Sequence, residues 1–529
     1  GQLYREVLSR MVAEPEGDVL QLRLPEVERQ QLLVTWNQTS ADYPREHTLV
    51  SLFEARAAQA PEAVAVTFEG HSLTYRELNA RANQLARHLQ GLGVGPESRV
   101  GISLMRSPEM VVALLGTLKA GGAYVPLDPT YPADRVSFML QDSQASVIIT
   151  QQTVESRLPP SSAPRVRLDA DVAEIARQPD GDLPSRLTAD NAAYLLYTSG
   201  STGRPVGVSG LHRGTLNRFQ WMWRTFPFSE GEVCCQKTTI NFSDAVWEIF
   251  GPLLQGVPLV LLPDDVSKDP ERLVQHLSAA GVTRMVLVPS LLRAILELPV
   301  DLASKLRRLK WWTTSGEALP HELAVAFKAR LPHATLLNLY GMSEGSADST
   351  CFVLRPEDPV AVLIGRPIDN TQVYVLDSLL QPVPVEVPGD LYVGGVGLAR
   401  GYWGRPELTA ERFIPNPFAS SESDVGSRLY RPGDRARWLS NGQLEYLGRA
   451  DHQVKIRGFR IELGEIESLL KGHSMVARSV VVARARSGTQ SEQQLVAYVV
   501  LRPETPPSIV GALRQLLRQR LPEYMVPAA

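Results

Sequence analysis

The chain has 529 residues, of which 44% are hydrophobic and 21% charged, and its formal net charge is −3, which together describe an ordinary globular protein. This length exceeds what one hydrophobic core usually supports, so two or more domains are expected. The charge gives no reason to expect a nucleic acid or a membrane as partner, and the lack of a long apolar run or signal peptide favours a cytoplasmic protein.

The first segment, residues 1–45, is predicted to be a linker rather than part of a catalytic domain. Residues 24–44 read LPEVERQQLLVTWNQTSADYP, an amphipathic helical pattern followed by a polar connection that ends at a proline. We therefore expect the first compact domain to begin at about residue 46.

Two domains follow. Residues 46–450 alternate helical stretches such as YRELNARANQLARHLQGLG with short β-branched runs such as SRVGISL and SVIIT. This alternation predicts a large, multi-layer α/β body with mixed sheets and helices. Residues 451–529 are basic and rich in strand patterns, with the helical VGALRQLLRQRL near the end, and predict a small α+β domain.

A glycine- and hydroxyl-rich run, TSGSTGRP, extends from Thr198 to Pro205 directly after the apolar residues YLLY. Such a loop leaves backbone N–H groups and hydroxyls accessible with little side-chain bulk, which suits a polyphosphate ligand. The GxxxxGK[ST] spacing of a P-loop is absent. Taken alone, such a run is more often a flexible surface loop than a phosphate site, so these residues by themselves do not decide between the two interpretations.

This loop is one of several segments that occur in a fixed order along the chain. The series resembles the adenylation domains of nonribosomal peptide synthetases, within the superfamily of adenylate-forming acyl and aryl ligases, and the resemblance covers nearly the whole chain. The segments are LTYREL (73–78), LKAGGAYVPLDP (118–129), YTSGSTGRPVGV (197–208), FSDAVWE (242–248), NLYGMSE (338–344), GDLYVGGVGLARGYW (389–403), YRPGD (430–434), GRADHQVKIRGFRIELGEIE (448–467) and LPEYMVP (521–527).

The resemblance implies an activity and its partners. A domain of this kind activates a small amino acid with ATP and Mg²⁺, releases pyrophosphate, and passes the acyl group to the phosphopantetheine thiol of a downstream peptidyl carrier domain. Residues 1–45 are similar to the linker that follows an upstream condensation domain. The small C-terminal domain would be a mobile lid, with its hinge at Asp451.

The resemblance also assigns roles to individual residues. For the nucleotide, Tyr340 would stack on adenine, Asp434 would accept the ribose hydroxyls, and Arg449 would lie near the ribose. Glu344 would bind Mg²⁺. The remaining assignments are Thr198, Ser199, Gly200, Ser201, Thr202 and Gly203 for the β- and γ-phosphates, Gly316, Glu317 and Asn338 for the base, and Thr198, Ser343, Glu344 and Lys455 for catalysis. His212 also has a family counterpart, but we expect it to be structural.

Two departures from the family pattern affect these expectations. The family has a lysine where this chain has Val206. A lysine there would either be tolerated and raise nucleotide affinity or, if Val206 is buried, destabilise the protein. The sequence also reaches Ala529 just after LPEYMVP, before the segment in which the family carries a catalytic lid lysine. For the sequence as it stands, the resemblance therefore implies a lid without its final segment and slow adenylation.

The substrate motif differs from that of most relatives for α-amino acids, which read FDxSVWE. In this chain the aspartate has moved from position 243 to Asp244, a rotation of about 100° on a helix, so an α-ammonium loses its usual partner. The family's pocket positions correspond to Ser243, Asp244, Trp247, Leu291, Thr313, Ser315, Leu339, Ala347 and Asp348.

This pocket set is similar to that of domains that activate β-alanine, and Asp244 and Asp348 would both approach the substrate ammonium. Three alternatives stay open. The substrate could be arginine or another guanidino or ω-amino acid, or, if Asp348 instead caps local backbone, a neutral acid. Val206 and the missing lid lysine could also mark a degenerate domain that binds nucleotide without catalysis.

Overall fold

The structure is a computed structural model that describes residues 24–200, 203–419, 426–451, 453–485, 493–503 and 509–529, together with residues 9, 12 and 506. Most of the predicted linker before residue 24 lies outside the described residues, as do Ser201 and Thr202 of the glycine-rich loop. We call residues 46–450 the body and residues 453–529 the lid.

The helices of the described residues are numbered in chain order. They are α1 (Glu26–Leu33), α2 (Leu49–Gln59), α3 (Tyr75–Gly91), α4 (Pro108–Ala120), α5 (Ala133–Ser143), α6 (Gln152–Glu155), α7 (Val172–Ile175), α8 (His212–Thr225), α9 (Ser243–Leu253), α10 (Asp264–Ser267), α11 (Pro270–Ala279), α12 (Pro289–Leu296), α13 (Leu302–Lys305), α14 (His321–Arg330), α15 (Pro406–Arg412), α16 (Leu463–Lys471) and α17 (Ile509–Arg520).

The strands are numbered in the same way. They are β1 (Val64–Phe68), β2 (His71–Thr74), β3 (Arg99–Ile102), β4 (Ala123–Pro126), β5 (Val147–Thr150), β6 (Arg165–Arg167), β7 (Ala192–Thr198), β8 (Val206–Leu211), β9 (Cys234–Gln236), β10 (Leu259–Leu261), β11 (Arg284–Leu287), β12 (Trp311–Thr314), β13 (Thr335–Tyr340), β14 (Thr350–Leu354), β15 (Arg366–Pro367), β16 (Thr371–Leu376), β17 (Gly389–Gly395), β18 (Phe413–Pro415), β19 (Arg428–Tyr430), β20 (Asp434–Trp438), β21 (Leu444–Arg449), β22 (Val454–Ile456), β23 (Phe459–Ile461), β24 (Val476–Ala485) and β25 (Gln493–Leu501).

Two large sheets form the centre of the body. One has the strand order β15-β14-β13-β12-β11-β9-β10-β1-β2 and the other β6-β5-β3-β4-β7-β8. Strands β4, β5 and β11 are buried along their whole length, as expected for parallel strands covered on both faces. Helix α4 is apolar around nearly its whole circumference because it contacts strands of both sheets, β1 and β3 among them.

A third sheet, β18-β19-β17-β20-β21 with β16 paired to β17, completes the body. The described part of the predicted linker packs against it. The side-chain amide of Asn37 donates to the carbonyl of Val373 at 3.1 Å and accepts from the N–H of Val373 at 2.7 Å, and the Trp36 and Trp438 rings lie 4.9 Å apart. These residues before position 46 are therefore tied to the body by specific contacts.

The lid has a hydrophobic core of its own. Apolar side chains from α16, α17 and both of its hairpins pack together, with Ile466, Val481 and Leu513 at the centre. The predicted class, a large layered α/β body followed by a small α+β domain, is confirmed. No helix within the described ranges is long and apolar enough to span a bilayer.

Candidate active site

A cavity of about 330 Å³ lies where the carboxyl ends of the parallel strands β11 and β12 face the lid. Open α/β sheets commonly bind ligands at this edge, because loops from several strands converge there. The body contributes the residues after each strand, such as Val288, Ser315 and Gly341, and the lid contributes the hairpin β22–β23. We call residues 454–461 the lid hairpin.

The lid hairpin forms because its two-residue turn is Arg457-Gly458, with φ of 53° and 78°. Two successive positive φ values define a tight hairpin turn whose second position favours glycine. The Gly458 N–H donates to the Glu317 carboxylate at 2.8 Å, and a Cβ at Gly458 would lie 2.4 Å from Val288. The glycine therefore lets the hairpin tip dock directly on the body.

A buried network surrounds Asp434, which is 2% exposed at the start of β20. The Tyr340 hydroxyl donates to its Oδ2 at 2.5 Å, while Oδ1 accepts from Arg449 Nη1 at 2.9 Å. Burial, followed by the Asp434 charge, raises the pKa of Tyr340 well above its usual range, so the phenol stays neutral. The structure thus brings together the three residues expected at adenine and ribose, and Asp434 and Arg449 line the cavity.

Arg449 also reaches the expected hinge. Its Nε and Nη2 donate to the two carboxylate oxygens of Asp451 at 2.7 Å each, a bidentate arrangement that fixes the angle between the two groups. Asp451 also accepts from the N–H of Gln453 at 3.1 Å. The residue expected to act as hinge is therefore linked through one arginine to the expected ribose site.

Glu344, the expected Mg²⁺ ligand, is fully buried in the turn after β13. Its Oε1 accepts from the Tyr402 hydroxyl at 2.8 Å and from Arg460 Nη1 of the lid hairpin at 2.9 Å. Burial alone would raise the pKa of Glu344, but the Arg460 guanidinium and the Tyr402 hydroxyl hold it below its usual range. An ionised carboxylate is a ligand that Mg²⁺ prefers. Glu344 does not line the cavity, however, and both of its oxygens accept from Arg460, so it could hold Mg²⁺ only if Arg460 moved away.

The glycine-rich loop meets both the cavity and the lid. Thr198 and Ser199 line the cavity, and the Ser199 hydroxyl donates to the Arg460 carbonyl at 2.7 Å. A Cβ on Gly200 would lie 2.2 Å from the Arg204 carbonyl oxygen, so only glycine fits there. Gly203 faces Ser468 of the lid. Ser343 lines the cavity, and Ser201 and Thr202 remain outside the described residues.

Val206 belongs to the body core. It is 8% exposed and packs in an apolar cluster with Val208, Leu398, Tyr402 and Phe413. The structure therefore supports the second of the two expectations for this position, in which a lysine would destabilise the fold.

Of the residues expected at the base, Gly316 lines the cavity, whereas Glu317 and Asn338 have structural partners. Glu317 accepts from the N–H of Ser290 at 2.9 Å as well as from the lid hairpin. The buried Asn338 amide donates to the Leu363 carbonyl at 2.7 Å and lies outside the cavity lining.

Lys455, by contrast, lines the cavity with its Nζ 5.9 Å from the Tyr340 ring centroid, and burial lowers its pKa.

Sequence reasoning missed the contacts that hold the lid on the body. Arg135 of α5 donates to Glu465 of α16 at 2.9 Å, and both side chains are buried. Phe459 of the lid hairpin packs edge-on against Phe242 and stacks on Tyr524. No motif signals such a pair, because its members are 330 positions apart in sequence.

Four of the residues expected in the substrate pocket line the cavity: Ser243, Asp244, Ser315 and Ala347. Asp244 lies in the first turn of α9, where the helix dipole favours a carboxylate. Its side chain is 20% exposed, and its Oδ2 accepts from the Ser315 hydroxyl at 2.8 Å. Asp244 is thus an accessible anion that is held in place.

Asp348 differs from expectation. Its side chain is 1% exposed, it is absent from the cavity lining, and it forms a short ion pair with Arg218 of α8, which sequence reasoning missed. Burial raises the pKa of Asp348 to about 6, with Arg218 acting in the opposite direction. The carboxylate already has a cation from the chain itself and does not close on a substrate ammonium from the far side.

The four other expected pocket residues differ from expectation, because none of them lines the main cavity. Trp247 and Thr313 line a separate cavity of about 20 Å³, close to the minimum for one water. Leu339 is buried in the main core and Leu291 packs against a second apolar cluster.

Comparisons with known proteins agree with this geometry. A family model described as "AMP-binding enzyme" matches residues 53–403, and one described as "AMP-binding enzyme C-terminal domain" matches residues 465–529. The chain is 43% identical over 528 residues to a linear gramicidin synthase of Brevibacillus parabrevis, covering 100% of this chain and 7% of that protein. It is 46% identical over 514 residues to phosphinothricin tripeptide synthetase PhsB of Streptomyces viridochromogenes, covering 95% of this chain and 42% of that protein.

One solved structure is similar over nearly its whole length, an artificially fused adenylation–PCP di-domain, NpsA-ThdA, from Klebsiella oxytoca. Its TM-score is 0.80 at 29% identity, covering 92% of this chain and 93% of that one. This chain spans less than half the length of either of the two enzymes from Brevibacillus and Streptomyces.

Proposed function

Because the chain belongs to the AMP-binding enzyme family, as an adenylation domain of the nonribosomal peptide synthetase type, we propose that it joins β-alanine or a related β-amino acid to AMP. Members of this family use ATP and Mg²⁺. The observation that carries the substrate proposal is the position of Asp244, an accessible carboxylate that lines the cavity.

The charge arrangement favours a β-amino acid over an α-amino acid. The described lining of the cavity contains two carboxylates, and Asp434 is already bonded to Tyr340 and Arg449. Asp244 is therefore the acyl-side partner for an ammonium. Ser243, which stands where α-amino acid domains have aspartate, is neutral. The ammonium of β-alanine lies one carbon farther from its carboxylate, which matches an anion displaced by one helical position.

In the proposed reaction, a carboxylate oxygen of the amino acid attacks the α-phosphorus of ATP. The bond from that phosphorus to the bridging oxygen breaks, and pyrophosphate leaves with the electron pair. Tyr340, Asp434 and Arg449 would hold the nucleoside, while Thr198 and Ser199 would contact the departing phosphates. Mg²⁺ bound at Glu344 would neutralise phosphate charge. The chain's contribution is mainly positioning and electrostatic stabilisation.

In the second half of the proposed reaction, the thiol sulfur of a carrier domain's phosphopantetheine bonds to the acyl carbonyl carbon and its proton passes to solvent. The bond from that carbon to the AMP oxygen breaks, and AMP leaves with the electron pair. The position of Lys455, lowered in pKa and beside the Tyr340 ring, supports a role for it in contacting the nucleotide or the arriving thiol. The adenylation–PCP di-domain supports a carrier domain as downstream partner, and the length of the synthetase relatives supports a condensation domain upstream.

The arginine alternative is less favoured. A substrate guanidinium would need the inner carboxylate, but the guanidinium of Arg218 already occupies Asp348. The noncatalytic alternative is also weakened, because Val206 packs in the core and the expected nucleoside contacts are assembled around Asp434.

ATP–pyrophosphate exchange over a panel of acids tests the proposal. β-Alanine should give the highest rate, with α-alanine, arginine and propionate well below it. A preference for α-alanine would overturn the β-amino acid assignment, and a preference for arginine would restore that alternative. Exchange with no acid of a full proteinogenic and β-amino acid panel would contradict the adenylation activity itself.

A further inference from the structure

Arg218 is a buried cation next to the substrate pocket that no sequence motif assigns. It lies on α8 and is 2% exposed, and its guanidinium is held beside the Trp247 ring, 5.4 Å from the ring centroid. Its Nε donates to Asp348 Oδ2. A guanidinium stays protonated in proteins, so this positive charge is a fixed feature of the pocket wall.

The same guanidinium also faces the proposed substrate ligand. Arg218 Nη2 lies 4.0 Å from Asp244 Oδ1, in addition to its shorter contact with Asp348. Arg218 therefore lies between two carboxylates, and its close contact is with the inner one, Asp348. The other oxygen of Asp244 is held by Ser315, which keeps that carboxylate directed at the cavity.

The backbone explains why Asp348 faces inward. Ser346 and Ala347 both have positive φ, 57° and 81°, and turn the chain sharply before β14. This turn is possible because residue 341 is glycine, since a Cβ there would lie 1.8 Å from the Ala347 carbonyl oxygen. Ala347 is left on the cavity wall and Asp348 behind it.

We infer that Arg218 is a specificity-determining positioning residue, which neutralises Asp348 and leaves Asp244 as the single carboxylate available to one substrate ammonium. The inference rests on the proposed function, because it concerns the same pocket. Without Asp348, the buried Arg218 charge would turn to Asp244, and the pocket would lose its attraction for an ammonium. With both members of the pair removed, Asp244 would again be free.

Propionate and β-alanine provide a matched test, because they differ only in the ammonium. The ratio of their kcat/KM values in ATP–pyrophosphate exchange is independent of how much enzyme is folded. We expect Asp348→Asn to lower the β-alanine to propionate ratio by about tenfold or more, as typical of losing one partner of a desolvated charge pair. The double variant Arg218→Met with Asp348→Asn should return the ratio to within about threefold of the wild-type value, because Asp244 is again unopposed.

The outcomes separate this inference from the proposed function. If the wild type prefers β-alanine but Asp348→Asn leaves the ratio unchanged, Arg218 does not control Asp244 and the inference is overturned. A double variant whose ratio stays low also overturns it, since Asp348 itself would then hold the ammonium. Should Asp348→Asn not fold, the double variant still tests the inference, because a low ratio in the double variant overturns it. A wild type that does not prefer β-alanine refutes the proposed function and, with it, this inference.

Discussion

Asp434 accepts hydrogen bonds from Tyr340, Tyr446 and Arg449 inside the proposed nucleoside site. We predict that Asp434→Asn weakens ATP binding by about tenfold to a hundredfold, since a hydrogen bond to a charged group contributes about 1.5–3 kcal/mol. Calorimetric titration with ATP and Mg²⁺ measures this. Asp390→Asn is the matched control, because Asp390 lies on β17 of the same sheet and pairs with the half-exposed Arg431. Equal affinities in both variants would remove Asp434 from the site.

Val206 gives a stability prediction at the same scale. Because Val206 is buried among apolar side chains, Val206→Lys should lower the free energy of unfolding by about 2–4 kcal/mol, the cost of burying an unpaired ammonium. Val325→Lys on α14, where the valine is 45% exposed, should change it by less than about 0.5 kcal/mol. Chemical denaturation of both variants provides the comparison. A stable Val206→Lys protein with tighter ATP binding would show that position 206 faces the phosphates.

Residue-level prediction from sequence rests on motifs that fix the local backbone, and the roles that it assigns stay predictions. It placed Thr198, Ser343, Asp244 and Asp434 around one cavity. It failed for Asp348, because the cation that neutralises it, Arg218, comes from a helix 130 positions earlier. A buried carboxylate can be recognised from sequence, but its partner depends on the packing of distant elements.

At the scale of elements, His212 joins α8 to α2. It is fully buried at the start of α8, and its Nδ1 accepts from the N–H of Leu49 at 3.3 Å, which satisfies a free donor in the first turn of α2. Burial lowers its pKa to about 4, so the ring stays neutral in the folded protein. The expectation of a structural histidine agrees with these contacts.

This contact implies a pH dependence of stability. The unfolded chain binds a proton at His212 below its ordinary pKa of about 6.5, whereas the folded protein does so only near pH 4, so stability falls as the pH drops through that window. His212→Asn keeps an acceptor near Leu49 without the titration. We predict that the loss of unfolding free energy between about pH 7 and about pH 4.5 is smaller in this variant by about 2–3 kcal/mol. Denaturant titration at both pH values measures it.

The lid contacts lead to a prediction about domain docking. Glu465→Gln leaves Arg135 buried without its counter-charge, which costs about 3–5 kcal/mol in the docked state and should release the lid. Arg520→Gln removes the exposed pair with Asp134, each 54% exposed, and should have little effect. Small-angle scattering would show a larger radius of gyration for Glu465→Gln alone. Unchanged scattering in both variants would mean that the pair does not hold the lid.

At the level of elements, the sequence predicted the fold class correctly but did not predict the order of the strands. Alternating helical and β-branched patterns identified a layered α/β body, since those periods follow directly from helix and strand geometry. They could not give the strand order, in which β10 pairs with β1 across almost two hundred residues, because register depends on long-range pairing.

For the whole molecule, one cavity is lined by residues of both the body and the lid. The body supplies the proposed acyl pocket and nucleoside contacts, and the lid hairpin supplies Lys455 and Arg460. Arg460 pairs with Glu344, the proposed Mg²⁺ ligand. The position of the lid therefore determines whether Glu344 faces Arg460 or is open to Mg²⁺.

The central claim is that Asp244 binds the ammonium of a β-amino acid while the carboxylate of that amino acid attacks ATP. The most direct measurement is the ratio of kcat/KM for β-alanine to that for α-alanine in wild type and in Asp244→Asn. We predict that the wild type strongly prefers β-alanine. In the variant, kcat/KM for β-alanine should fall by an amount equivalent to about 2–5 kcal/mol of transition-state stabilisation, as for breaking a desolvated charge pair. Full β-alanine activity in Asp244→Asn, or a wild-type preference for α-alanine, would contradict the claim.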